Sequence, residues 1–388
     1  MFIMKLLFSA ATKVSLYNGK YYEHSLSNVI IPRYLKYCEQ LYCLCNVEEV
    51  NEEPIQPQIL YKNVEIVDSY RINTFRKLLF SEYKNNSIIE EVVRKVDACV
   101  IHMPTRIGRQ IIKIAQKYSK PYLLVIVGCP WDAYWNHGLL GKIVAPMEFW
   151  RLRKVVKESK YAMYVTNSFL QARYPSKGRS IGCSDVYLNN IDDKVLSERL
   201  LRIDNNDNNL IIGTLAAVDV AYKGQAYVIK AIANLKKLGV TFDYYLAGGG
   251  DKTRLLKIAK KLGVEDNVKF LGFLNRNEVS LYLKRIDIYI QPSKQEGLPR
   301  ALVEAMSYAC PALGSKVAGI PELLDEKCLF KKGNVSAICN LLLSFSKEKM
   351  KSYAKRNFEM SKLYTLSILE SRRDSFIKEF LDYVHLQK

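Results

Sequence analysis

From Leu210 to about residue 330 the chain alternates short apolar runs with amphipathic segments, and this alternation restricts the fold more than any other feature. The runs IIGTLAAV, DYYLAGG, VKFLGF and IDIYIQPS have strand length. Between them Val228, Ala231, Ile232 and Leu235 recur at i, i+3, i+4 and i+7, as do Leu255, Ile258, Ala259 and Leu262, and then Val279, Tyr282, Leu283 and Ile286. That spacing predicts helices, the first near Gln225 to Leu238 and the second near Thr253 to Leu262. Strands and helices in alternation build a parallel sheet wrapped by helices, so the stripes are core faces and carry no chemistry.

The first half repeats the pattern more loosely, with strands predicted at Lys5 to Ser9, Ala98 to His102, Tyr122 to Val127 and Tyr161 to Val165. It reads as a second α/β unit. The polar run IDNNDNN, Ile203 to Asn209, reads as the linker between the halves. The expected division is 1–204, 205–365 and a final segment 366–388, whose LESRRDSFIKEFLDYV forms a helix returning to the first domain. A length of 388 residues agrees with more than one domain at roughly 150 residues each.

Composition narrows the class. With 49% hydrophobic and 25% charged residues the chain can bury a core. No apolar run approaches the ~18 residues of a membrane span. The opening MFIMKLLFSAATK is broken at Lys5 and reads as a buried strand rather than a signal segment. The nine cysteines sit mostly in apolar runs (Cys99, Cys129, Cys310, Cys339), and Cys38, Cys43 and Cys45 lack the spacing of a zinc knuckle. Buried free thiols in a reducing cytoplasm are expected. A net charge of +19 predicts a surface that attracts phosphates, anionic lipid or nucleic acid, without choosing among them.

The chemistry concentrates in IDIYIQPSKQEGLPRALVEAMSYACPALGSKVAGIPELL. A strand ending near Gln291 leads into a loop, and Pro299 suits the first position of a helix, where its missing N–H costs nothing. Ligands of open α/β sheets sit at the carboxyl ends of strands. Backbone N–H groups from Gly297 to Ala301 would then face that crevice as a seat for phosphate or diphosphate. Glu296 and Glu304 flank the seat, and ionised carboxylates accept hydrogen bonds from vicinal diols such as sugars present. The plainer alternatives are a dipole-favourable residue before a helix for Glu296 and an exposed helix residue for Glu304.

Glu296 and Glu304 form E-x7-E within EGLPRALVEAM. With the Gly213 to Gly224 segment ending in Lys-Gly, LAGGGD, VKFLGF and GSKVAGIPELL in this order, residues 210 to 330 resemble the retaining GT-B glycosyltransferases often called family 4. The resemblance implies an α/β fold of two Rossmann-like domains facing across a cleft. It implies that Glu304 binds ribose hydroxyls, that Glu296 binds a donor-sugar hydroxyl, and that amides of Gly297 and Leu298 contact the sugar. Amides near Arg300 and Ala301 would contact the diphosphate, which Lys223 would neutralise as charge develops on the leaving group. Gly213, Thr214 and Phe273 fall in the matching segments and are assigned with them to the donor site. Thr214 stands where the family often has Arg, and Arg300 is the candidate to compensate.

The first half matches more thinly. Gly128 stands where many family members place a His. Asp132 and His137, in the loop that follows, are candidates for contact with donor sugar or acceptor hydroxyl, or for a structural loop role. Trp131, Tyr134 and Trp135 offer a stacking surface for sugar or ordinary packing. His102, at a strand end, reads first as structural. YVTNSFLQARYPSKGRSIGCSDVYL resembles the same region of capsule and surface-polysaccharide enzymes of the family.

The resulting expectation is a retaining, metal-independent hexosyl transfer from a nucleotide-diphosphate sugar to a saccharide or lipid-linked saccharide, with no cofactor. No D-x-D occurs to hold a metal. The acceptor hydroxyl would attack on the face the diphosphate leaves, so no enzyme nucleophile is needed. A cytoplasmic location at the inner face of the cell membrane is expected, with the basic first half against anionic lipid. A nucleotide-sugar epimerase of the same architecture is the alternative, disfavoured by E-x7-E. A nucleic-acid-binding protein rests on charge alone, and no specific nucleic acid partner is expected.

Overall fold

The computed structural model describes residues 4–23, 26–69, 86–135, 138–189, 191–206 and 209–387. In the first half the order is β1 (Lys5–Tyr17), β2 (Lys20–Tyr22), α1 (Ile31–Leu35), β3 (Gln40–Glu49), β4 (Val64–Asp68) and helical residues 86–95 (α2). There follow β5 (Ala98–Met103), α3 (Arg106–Lys117), β6 (Tyr122–Ile126), α4 (Pro130–Trp135), α5 (Gly138–Glu158), β7 (Tyr161–Tyr164), α6 (Phe169–Arg173) and β8 (Arg179–Gly182). The sheet runs β4-β3-β1-β5-β6-β7-β8 and is parallel throughout, with β2 adding an antiparallel pair to β1. Strands covered on both faces need apolar side chains on both, and Leu123, Leu124 and Ile126 are all buried.

The second half contains α7 (Lys194–Asn205), β9 (Ile211–Leu215), α8 (Gln225–Lys237), β10 (Asp243–Ala247), α9 (Thr253–Lys261), β11 (Val268–Gly272), α10 (Arg276–Arg285) and β12 (Ile288–Gln291). It ends with α11 (Arg300–Ser307), β13 (Ala312–Ser315), α12 (Ile320–Leu323), β14 (Leu329–Phe330), α13 (Val335–Leu343), α14 (Lys347–Lys362) and α15 (Leu366–His385). Its all-parallel sheet has the order β11-β10-β9-β12-β13-β14. Numbered from β9, this is the doubly wound order whose reversal point, here between β9 and β12, opens a crevice at the strand ends. The helical stripes read from the sequence face inward: Val228, Ala231, Ile232 and Leu235 are buried, as are Tyr282, Leu283 and Ile286.

The structure departs from the sequence reading at three places. β1 continues past Ser9 to Tyr17, and β3 and β4 add a flank that the sequence reading left unassigned. Pro299 is the N-cap of α11 rather than its first residue, with ψ at 111°. The linker reading of 203–209 and the boundary at 204/205 also shift. Ile203 is 4% exposed inside α7, and the buried Arg199 of the same helix donates to the carbonyls of Ile286 (2.5 Å), Leu283 (2.6 Å) and Tyr308 (3.3 Å). A guanidinium that satisfies helix-end carbonyls fixes α7 to the second half.

The chain therefore crosses between the halves ahead of α7, and again ahead of α15. The two crossings touch: Leu188 N–H donates to Tyr364 O (2.8 Å) and Leu366 N–H to Leu188 O (2.9 Å). α15 then packs on the first half, where Tyr161 meets the rings of Phe376 and Phe380 and Arg179 pairs with Glu379 at 2.7 Å. Arg33 of α1 pairs there with Glu370 at 3.1 Å.

Candidate active site

The loop after β9 is shaped by Gly224. Its φ is +80°, and a Cβ would lie 2.0 Å from the Pro292 carbonyl, so only glycine lets this turn press against the loop after β12. Lys294 N–H donates to Tyr222 O at 2.7 Å, closing the same contact. The two loops at the reversal point are thereby locked, and Lys223 Nζ is held 2.8 Å from Glu296 Oε1. That oxygen also accepts from Ser293 Oγ (2.6 Å) and Gln291 Nε2 (3.0 Å), and Tyr289 OH donates to Gln291 Oε1 (2.7 Å). Among the described residues no donor reaches Glu296 Oε2, which leaves an acceptor for a ligand hydroxyl. Gln291, Ser293 and Tyr289 escaped the sequence reading; the signal was the polar QPS triplet closing a buried strand.

α11 starts beside this pair. Its first backbone bond runs from Val303 N–H to Pro299 O, and among the described residues no side chain caps the end. The N–H groups of Arg300, Ala301 and Leu302 thus have no acceptor inside the helix, where the positive end of its dipole favours an anion. Arg300 itself is exposed, its guanidinium 5.9 Å from the Tyr187 ring. Glu304 is half-buried and its carboxylate has no hydrogen-bond partner among the described residues. Burial raises its carboxyl above the ordinary value, against the pull of Arg300 and Arg276. Arg276, at the start of α10, is a charged neighbour of Glu304 that the sequence reading did not single out.

The opposite wall comes from the first half. A cavity of about 280 Å³ lies between the halves, lined by Val127, Gly128 and Ala133 on one side and by Lys223, Glu296 and Gly297 on the other. A Cβ placed on Gly297 would sit 3.3 Å from Val127 O, so glycine lets the two walls approach. A Cβ on Gly128 meets nothing within 4 Å. The space expected for a family His is open.

The remaining candidates separate. Leu298 is buried and Ala301 half-buried at the α11 start. Gly213 packs under Ile286 and Tyr282, where a Cβ would approach within 2.6 Å, so its part is to let α10 close on β9. Thr214 is fully buried, donating to Ile290 O and accepting from Tyr244 OH, both at 2.8 Å, so its hydroxyl turns into the sheet away from the crevice. Phe273 stands 83% exposed beyond β11. Asp132 lies 4.0 Å from Arg173 and outside the cavity lining, where its neighbour Ala133 takes the place. His137 lies outside the described residues. His102 packs edge-on against Phe8 at 5.0 Å, and burial lowers its pKa, so it stays neutral at physiological pH. In LAGGGD, Gly248 and Gly250 are the required glycines: their φ values are +147° and +110°, and a Cβ would strike Ala216 O or the Asp219 carboxylate.

Two comparisons identify the framework. The sequence profile described as "Glycosyl transferases group 1" matches residues 202–359. Protein CapJ of Staphylococcus aureus is 32% identical over 344 residues, covering 87% of this chain and 85% of CapJ. The chain belongs to the glycosyl transferases group 1. This glycosyltransferase is also 37% identical over 134 residues to the amylovoran biosynthesis glycosyltransferase AmsK of Erwinia amylovora, covering 32% of this chain and 33% of AmsK. Its fold is that of Anabaena HepE in complex with UDP, with a TM-score of 0.66 at 15% identity over 97% of this chain and 100% of HepE. The two facing parallel-sheet domains of the glycosyltransferase are thus a GT-B fold.

Proposed function

We propose that this glycosyltransferase moves a hexosyl unit from a nucleoside-diphosphate sugar to a saccharide or lipid-linked saccharide, with retention at the anomeric carbon, in assembly of a bacterial surface polysaccharide. The carrying observation is the locked pair Lys223 and Glu296 beside the uncapped start of α11, at the reversal point of the second sheet. The diphosphate lies on the free N–H groups with Lys223 against it, Glu296 Oε2 takes a sugar hydroxyl, and Glu304 takes the ribose diol. The bond from C1 to the phosphate oxygen breaks while the acceptor oxygen bonds to C1 on the same face, and the acceptor proton passes to the departing phosphate. Positioning and charge stabilisation supply the rate, with no metal required. The names of AmsK, and the UDP bound to HepE, support the polysaccharide and nucleotide parts of the reading.

Thermal-shift titration against a panel of nucleotide sugars tests donor binding, and proton NMR of the product reads its anomeric configuration. A stabilising donor whose shift disappears in Glu304→Ala, with transfer that survives EDTA, is the expected result. Inversion, or a donor bound equally by Glu304→Ala, defeats the assignment.

A further inference from the structure

α5 is a long helix that turns an apolar face to solvent. Gly141, Ala145, Glu148, Leu152 and Val156 are buried along one side, where Leu152 and Val156 join the core of the first sheet and Glu148 pairs with Arg109 and Arg151. On the other, Leu139 and Leu140 are each 80% exposed, Ile143 73% and Trp150 64%, with Met147 exposed between them. At 100° per residue these five fall within about a third of the helix circumference, and Leu139 to Trp150 spans about 17 Å along the axis. Large side chains so exposed and contiguous mark an interaction surface.

The same face becomes strongly basic in its last turns. A concavity of about 630 Å³ opens beside Trp150 and is lined by Arg153, Lys154, Lys157, Lys160 and Lys177, with Glu158 the one acid among the described residues that line it. Arg153 donates to Arg173 O at 2.7 Å and Lys160 to Tyr383 OH at 2.8 Å, so both are spoken for. Lys154, Lys157 and Lys177 have no acidic partner among the described residues. Charges that attract one another inside the protein would need no partner; these are all of one sign.

We infer that the exposed face of α5 and its adjoining basic hollow form a docking surface for an anionic lipid bilayer, with Leu139, Leu140, Ile143, Met147 and Trp150 entering the headgroup boundary and Lys154, Lys157 and Lys177 seated on phosphate groups. A basic amphipathic helix with aliphatic residues and Trp on its apolar side lies in the membrane interface for these physical reasons. Charge decides the occupant: a second copy docked on the same face would set cations against cations, and a nucleic acid offers nothing to the aliphatic stripe. The surface is separate from the sugar-nucleotide crevice, and its occupancy would hold the first half at the membrane surface.

Sedimentation of the whole chain with vesicles of phosphatidylglycerol and phosphatidylcholine, against phosphatidylcholine alone, tests the surface without any sugar nucleotide, so its failure is distinct from failure of the proposed reaction. Binding to the anionic vesicles is expected. Lys154→Ala/Lys157→Ala/Lys177→Ala should weaken it by about fivefold per cation, on the order of a hundredfold together. Leu139→Ser/Leu140→Ser/Ile143→Ser should abolish it at every salt concentration, with unchanged circular dichroism and melting midpoint as the folding control. Absence of vesicle binding, binding that neither variant alters, or a concentration-dependent dimer lost with the serine variant would each overturn the inference.

Discussion

Glu322 makes a sharp test of how the halves are held together. It sits on α12 of the second half, yet its carboxylate accepts from the backbone N–H groups of Asn167 (2.6 Å), Ser168 (3.0 Å) and Phe169 (2.7 Å), and from Ser168 Oγ (3.0 Å), all at the start of α6 in the first half. Ser168, the N-cap of α6, makes no cap bond with its own side chain. A helix start is therefore capped by a carboxylate from the other domain. Losing an N-cap costs about 0.5–2 kcal/mol. Several of these bonds are open to solvent, so screening keeps the expected loss for Glu322→Ala at about 1–2 kcal/mol despite four donors. One to two kcal/mol is roughly 5–30-fold in an equilibrium. The ratio of closed to open arrangements should fall by that factor. Single-molecule energy transfer between dyes on the two halves reads the ratio, and a donor titration should show binding weakened by no more than that factor, since apparent affinity follows the closed fraction. Glu322→Gln, with an oxygen acceptor but no charge, should lie between. An unchanged distance distribution in Glu322→Ala would refute the argument that this carboxylate clasps the halves.

The remaining predictions concern the crevice. Lys223→Ala should lower kcat by about 100–1000-fold, as expected when a group acting on developing charge is removed, with a smaller change in donor affinity measured by calorimetry. Because burial raises the Glu304 carboxyl, affinity for a nucleotide sugar should fall on acidification at a higher pH than an ordinary glutamate would give, and Glu304→Gln should bind weakly with a flat pH profile. The same raised folded-state pKa means that ionised Glu304 opposes folding at neutral pH and that this cost is relieved as pH falls through that value. Gly224→Ala, with its positive φ and its 2.0 Å approach to Pro292 O, should lower unfolding stability by about 2 kcal/mol or more and abolish donor binding, as chemical denaturation and calorimetry would report.

How much of this was legible depended on whether local pattern or long-range geometry set the feature. α8, read as Gln225 to Leu238, is observed at Gln225–Lys237, because the period of its apolar stripe is set by neighbours one turn away. E-x7-E placed two carboxylates near one helix start, and that also is local. The partners that tune them are not: Lys223 reaches Glu296 across 73 positions, and nothing in the sequence marks Ser293 or Gln291 as donors to it rather than as loop residues. Ile203 was hidden within a run of Asp and Asn, although one apolar side chain on a docked helix is enough to bury it. Thr214 shows the reverse limit. Its position matched a donor-site segment, but the direction of its side chain follows from strand parity and from the Tyr244 hydroxyl, which a motif does not record.

The contact between Leu188 and residues 364–366 bears on how such a molecule moves. A chain that passes between two bodies once permits them to swivel about a single bond path. Here two passages are stitched to each other side by side, which suppresses swivelling and leaves bending across one line as the soft degree of freedom. Bending across that line would keep the wall at Gly128 facing Glu296, so the paired backbone itself holds the two sides of the crevice in register.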